Sequence, residues 1–201
     1  MTRLRSGMEL LDSAVSYALA GAALVTPQLL PRPTPCPDWE LEMLLDHLSD
    51  SIGVLHEAIA TGGVSPGPAQ GYDGPGRDPV ARLRGQAAGL LDAYTAAGPA
   101  ARRVVVGDHE LSASMVAVTG AIEICVHGWD IWVACGAPRP VPPHLAAVLL
   151  PLAPLVITPG SRPGLFADPV RLPGPAGPGD QLVAFLGRQP RLLAAPRPGT
   201  F

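Results

Sequence analysis

Residues 123–130 read E-I-C-V-H-G-W-D. Glu123 and His127 are four apart, so on a helix their side chains share a face, with Cβ atoms about 5–6 Å apart. Asp130 lies three residues further on, which carries the same stripe through a second turn. A carboxylate and an imidazole at this spacing can bind one divalent cation. The flanking sequence is apolar, with Met115, Val116, Val118, Ile122, Ile124, Val126, Ile131 and Trp132 around the stripe. A charge on so apolar a helix is costly to bury without a partner. Either a divalent cation or arginines from a neighbouring helix could serve, and spacing alone does not choose between them. His47 favours the cation. It sits at the edge of the apolar stripe of an earlier helix, one turn from Met43 and from Ser51. Two histidines and a glutamate from two helices make a catalytic-type zinc set with one position open for water or substrate. Nickel, iron(II) and manganese accept similar ligands, so the expected ion is zinc with these as alternatives.

Other reactive side chains read as structural. His56, His109 and His144 fall near helix ends or loops and are expected at the surface. Cys125 points well away from His127 around the helix, given two residues of rotation, and suits core filling. Cys36 precedes a proline and is expected to pack against the second helix. Trp39 and Trp129 are expected in the core or at a pocket mouth. Asp130 is expected to support the site, either by orienting His127 or by pairing with an arginine. The chain contains no phosphate-binding glycine-rich loop and no dinucleotide fingerprint.

Helices must position these groups. Met8, Leu11, Val15 and Leu19 recur at helical spacing, so Gly7 to Leu24 is the first helix rather than a signal peptide. A proline-rich connector follows. The second helix is expected from an Asp38 N-cap to Thr61, with Leu41, Leu44, Leu45, Leu48, Ile52 and Leu55 inward. Residues 62–79 are Gly/Pro-rich and read as a long loop. The third helix spans Asp78 to Ala97, with Val80, Leu83, Ala87, Leu90 and Leu91 inward; Arg103 to Gly107 reads as extended. The fourth spans Ser112 to Cys135 and stops at Gly136. It is apolar enough to suggest a membrane span, but a central carboxylate costs roughly 2.5–3.5 kcal/mol there, so a buried bundle helix is expected. Pro143 to Leu150 reads as the start of a fifth helix. Pro151 to Gly179 is too rich in proline and glycine for long regular structure, and Asp180 to Gly187 is a last short helix. The expected architecture is all-α: a four-helix bundle over 1–138, with a Pro/Gly-rich segment over 139–201 carrying one or two short helices packed on it.

Composition sets the outer bounds. The chain has 201 residues, 47% of them hydrophobic and 15% charged, which suits a globular fold. The formal net charge is −3, all fourteen basic side chains are arginine, and no basic cluster is present to grip a polyanion. No nucleic-acid or membrane partner is therefore expected. Three cysteines without close spacing fit a reducing cytoplasm rather than a disulfide framework. Apolar helical faces also serve dimer interfaces, which leaves a homodimer open.

Three segments together carry a family resemblance: PTPCPDWELEMLLDHL, IEICVHGWDIWVACG and, near the end, LVAFLGRQP. They resemble the actinobacterial metal-binding proteins of the DinB/YfiT-like superfamily, related to mycothiol-dependent maleylpyruvate isomerase. The resemblance implies a four-helix bundle of up-down-down-up order and a metal held by His47, Glu123 and His127. It implies use of a low-molecular-weight thiol, mycothiol, on a small-molecule electrophile. A coordinating cation deprotonates a thiol outright, and the thiolate can then perform S-transfer or a reversible addition that isomerises a double bond. Two other functions remain open on the same residues. One is a thiol-independent lyase, hydrolase or cyclase of a biosynthetic pathway; the other is a non-catalytic metal- or ligand-binding module.

Overall fold

The computed structural model describes residues 7–64, 78–97, 103–106, 109–162 and 164–190. Helix α1 is Gly7–Ala22, α2 Leu41–Thr61, α3 Pro79–Ala97 and α4 Ala113–Ala134; α5 is Pro143–Val156 and α6 Pro178–Phe185. Between α3 and α4 lies a small antiparallel pair, β1 Arg103–Val106 and β2 His109–Ser112, registered with Arg103 opposite Ser112. The fold is all-α apart from this pair, a DinB-like bundle.

Contacts along the helices fix their directions. Gly7 at the start of α1 lies against Ala117, and Gly21 near its end lies against Trp132, so α1 and α4 run parallel. Arg82 bonds Asp46 at 3.1 Å, and Gly89 packs on His56, so α2 and α3 also run parallel. Leu55 covers Gly120 while His47 reaches Glu123, so α2 and α4 are antiparallel. The order is therefore up-down-down-up. The core is the expected stripes meeting: Leu44, Leu45, Leu48 and Ile52 of α2, Leu83 and Leu90 of α3, and Ile122, Ile124 and Ile131 of α4 are all at most 1% exposed. Each such side chain contributes about 1.5–3 kcal/mol of burial. Helix α4 is long and apolar enough to cross a membrane by length and composition, and most of it is buried inside the bundle. Gly128 lets α1 approach α4 closely, since a Cβ there would lie 3.0 Å from the backbone of Ala18.

Several boundaries differ from the sequence expectation. Asp38 does not cap α2. It adopts φ 64° in a turn whose ends are bridged between Pro33 and Glu40, and the helix starts at Leu41. Aspartate tolerates this left-handed conformation better than most residues. Asp78 does cap α3, its Oδ1 accepting from the amides of Val80 and Ala81. Ser112 caps α4, accepting from the amide of Met115, and Gly136 follows the helix at φ 72°. Arg103–Val106 is extended as expected, but its partner β2 was not anticipated. Helix α5 runs past Leu150 to Val156 through Pro151 and Pro154. Most of the expected 62–79 loop lies outside the described residues.

The segment after α4 folds back onto the bundle. Leu145, Ala146, Leu149 and Ala153 of α5 are fully buried, as is Leu182 of α6. The buried Arg162 guanidinium donates to the carbonyls of Ala167 and Phe185, tying the stretch after α5 to the end of α6.

Candidate metal centre

The antiparallel α2–α4 pair brings His47, Glu123 and His127 together. Glu123 Oε1 lies 3.1 Å from His47 Nε2 and 3.1 Å from His127 Nε2. One donor atom from each residue falls within 4.8 Å of the others. The two imidazoles are nearly perpendicular, with centroids 5.1 Å apart. Trp39 covers both, edge-on to His47 at 4.6 Å and stacked against His127 at 6.1 Å. Exposure grades across the cluster: side chains are 38% exposed for His47, 25% for Glu123 and 7% for His127. His47 is thus the most exposed of the three donors and His127 the least.

Behind His127 lies a buried polar network. His127 Nδ1 faces Asp130 Oδ2 at 3.1 Å, and Asp130 is wholly buried. Arg188, three residues beyond the end of α6, donates from Nη2 to Asp130 Oδ2 at 2.8 Å and from Nε to both carboxylate oxygens at 3.3 Å. Both expected roles of Asp130 are thus present in one side chain: it bonds His127 and pairs with an arginine. Cys36 completes the network. Its thiol donates to Asp130 Oδ2 at 3.3 Å, accepts from Arg188 Nη2 at 2.9 Å and lies 3.9 Å from His127 Nδ1. The 33–40 turn places it there: Thr34 Oγ1 accepts from the Cys36 amide, and the Trp39 amide donates to the Cys36 carbonyl. The same turn presents Trp39 to the histidines.

The electrostatics follow from these contacts. Burial alone would raise the Glu123 pKa, but hydrogen bonds from His127 and His47 outweigh it and hold the carboxyl well below its usual range. Burial likewise opposes ionisation of Asp130, and the His127 bond with the Arg188 charge overrides it, keeping it ionised. For His127, burial disfavours the proton, while Asp130, Cys36 and Glu123 favour it strongly enough to lift its pKa well above the usual histidine range. Two carboxylates against one guanidinium leave one negative charge in the cluster. A proton on His127 balances it, and a cation between the Nε2 atoms and Glu123 would take that proton's place.

The donor set fits a divalent ion. Two imidazole nitrogens and one carboxylate oxygen converge from two rigid helices, and the carboxylate behind His127 is the usual companion of a ligating histidine. Of the remaining histidines, His144 is exposed, His56 packs on Gly89, and the expectation for the His109 side chain lies outside what is described. Cys125 is fully buried, and burial pushes its thiol up to about 12, in keeping with core filling. Trp129 is buried core, while Trp39 lines the site. Sequence reasoning missed Arg188 and the site role of Cys36. Both arrive on loops, where periodicity carries no information; the one available signal was a cysteine and an arginine inside segments that carry the family resemblance.

Fold and site together define a DinB-like bundle with a His/Glu/His donor set at the α2–α4 interface. The chain belongs to the family described as mycothiol maleylpyruvate isomerase N-terminal domain, whose model matches residues 11–132, from α1 to the last turn of α4. Two uncharacterized proteins of Mycobacterium tuberculosis, from strains CDC 1551 and H37Rv, are each 29% identical over 172 residues, covering 79% of this chain and 85% of theirs. No solved structure is a significant match.

Proposed function

We propose that this protein is a metal-dependent enzyme that uses a low-molecular-weight thiol, mycothiol, for S-transfer to, or isomerisation of, a small electrophile. The convergence of His47 Nε2 and His127 Nε2 on Glu123 Oε1 carries the reading. Membership of a mycothiol-related family supports the choice of thiol. A divalent ion, zinc by the donor chemistry, would hold a thiol at the open coordination position and lower its pKa toward neutrality.

The chain's own residues do the rest. His47, Glu123 and His127 supply the donors. Asp130, fixed by Arg188, accepts from Nδ1–H of His127 and so aims Nε2 at the cluster. Trp39 packs against both histidines, and the exposed face of His47 would offer an approach for thiol and electrophile. Three free cysteines suit a reducing cytoplasm, where such a thiol is available.

The test is metal analysis followed by thermal shift. Purified protein is expected to hold about one ion per chain, and His127→Ala to lose it while His56→Ala keeps it. Added mycothiol should then raise the Tm of the zinc-loaded protein and leave the metal-free protein unmoved, as linkage requires. Zinc binding without any response to millimolar mycothiol would replace this reading with a thiol-independent metalloenzyme.

A further inference from the structure

His127 stands between two donor sets. Its Nε2 faces Glu123 and His47; its Nδ1 faces Asp130 and Cys36. Either trio brings its ligand atoms within 4.8 Å of one another. By donor chemistry the second trio is a serious competitor, because thiolate, imidazole and carboxylate together suit zinc and cobalt(II) well. An ion taken there would use the wrong ring nitrogen and draw His127 away from the open face of the site.

We propose that Arg188 is the residue that keeps metal out of the Cys36–His127–Asp130 set and so commits His127 to the triad. The inference rests on the metal reading of that triad. Arg188 Nη2 sits 2.8 Å from Asp130 Oδ2 and 2.9 Å from Cys36 Sγ, and its Nε reaches both carboxylate oxygens. The lone pairs a metal would need are therefore already committed to a cation. A guanidinium suits this role because it stays charged and its planar fork serves two acceptors at once.

Arg188 is also held where it is. It is 6% exposed, its Nη1 donates to the Leu186 carbonyl at 2.9 Å, and its own amide bonds the Val183 carbonyl at the end of α6. The turn before it uses Gly187 at φ 83°, where a Cβ would lie 2.7 Å from the Ala167 carbonyl oxygen. For an ion to enter the second set, the guanidinium must leave, Cys36 must release its thiol proton to solvent, and a metal–sulfur bond must form. Arg188 opposes entry of the ion by occupying the space with a charge of the same sign. The C-terminal segment thereby decides which face of His127 a metal can use.

Cobalt(II) titration of the full-length protein tests this, read as stoichiometry and as the sulfur-to-cobalt charge-transfer band in the near ultraviolet. Wild type is expected to bind one equivalent without the band. Arg188→Ala, and Arg188→Met, which keeps the volume of the stem, are expected to gain one sulfur ligand per chain and the band, and the Cys36→Ser/Arg188→Ala double variant to lose it. A band in wild type overturns the proposal whether or not either variant folds. So do folded Arg188 variants that bind cobalt with no band. A wild type that binds no cobalt removes the triad reading itself, a result separate from the loss of the Arg188 role alone.

Discussion

Asp130 is the residue through which stability and metal binding would be joined; Asp130→Ala should lose both, and a double variant should separate them. Asp130 is wholly buried, and Arg188, 6% exposed, has it as its partner charge. Removing the carboxylate leaves the guanidinium buried without a counter-charge, a loss of about 3–5 kcal/mol. For a chain of this size each kcal/mol moves Tm by about 2–4 °C, so the metal-free variant should melt roughly 6–20 °C lower. His127 also loses the acceptor for Nδ1–H, which should weaken zinc binding about 10–100-fold. The double variant Asp130→Leu/Arg188→Met removes both charges for apolar groups of similar volume. It should recover most of the lost stability, since such replacements are often neutral, and should not recover the zinc affinity. Urea unfolding of metal-free protein gives the first quantity, and competition against a chromogenic chelator gives the second. An Asp130→Ala variant within about 1 kcal/mol of wild type, or a double variant as unstable as the single one, would refute the reasoning.

Three further outcomes are expected. The raised pKa of His127 means that metal-free protein carries a proton there at neutral pH, so zinc binding must release it. Calorimetry in buffers of different ionisation enthalpy should show about one proton released, with apparent affinity rising about tenfold per pH unit until the raised pKa is passed; binding with no proton release contradicts this. Gly187→Ala combines a left-handed φ of 83° with a clash against the Ala167 carbonyl, and should cost about 2–5 kcal/mol in urea unfolding. Cys125, with its thiol pushed up to about 12 by complete burial, should stay unreactive toward Ellman's reagent at pH 8 in folded protein and become reactive in denaturant.

How much could be read from the sequence follows from which residues lie on periodic elements. Leu44, Leu48 and Ile52 announce the buried face of α2, and the spacing of Glu123 and His127 announces their shared face on α4. His47 lies near that stripe, so meeting Glu123 required only that the two helices pack. Asp130 continues the same spacing, and its two expected partners proved compatible. Cys36 and Arg188 were not legible because a 33–40 turn and a segment after α6, distant in sequence, deliver them. The Asp38 cap failed for a related reason: an N-cap residue and a left-handed turn residue draw on the same short polar side chains, and the bridge between Pro33 and Glu40 decides for the turn. Strand β2 was missed because HELS is short and polar, and its pairing to β1 is tertiary. Helix α5 continues into the proline-rich tract because Leu149 and Ala153 bury a face that repays the bonds Pro151 and Pro154 forgo.

The central claim is that one divalent ion sits among His47, Glu123 and His127. X-ray absorption at the zinc edge of stoichiometrically loaded protein tests it most directly. The account predicts a first shell of nitrogen and oxygen only, near 2.0–2.1 Å, with the outer-shell scattering of two imidazoles. A sulfur scatterer at about 2.3 Å would place the ion on Cys36 instead, and a protein that cannot be loaded at all would contradict the account outright.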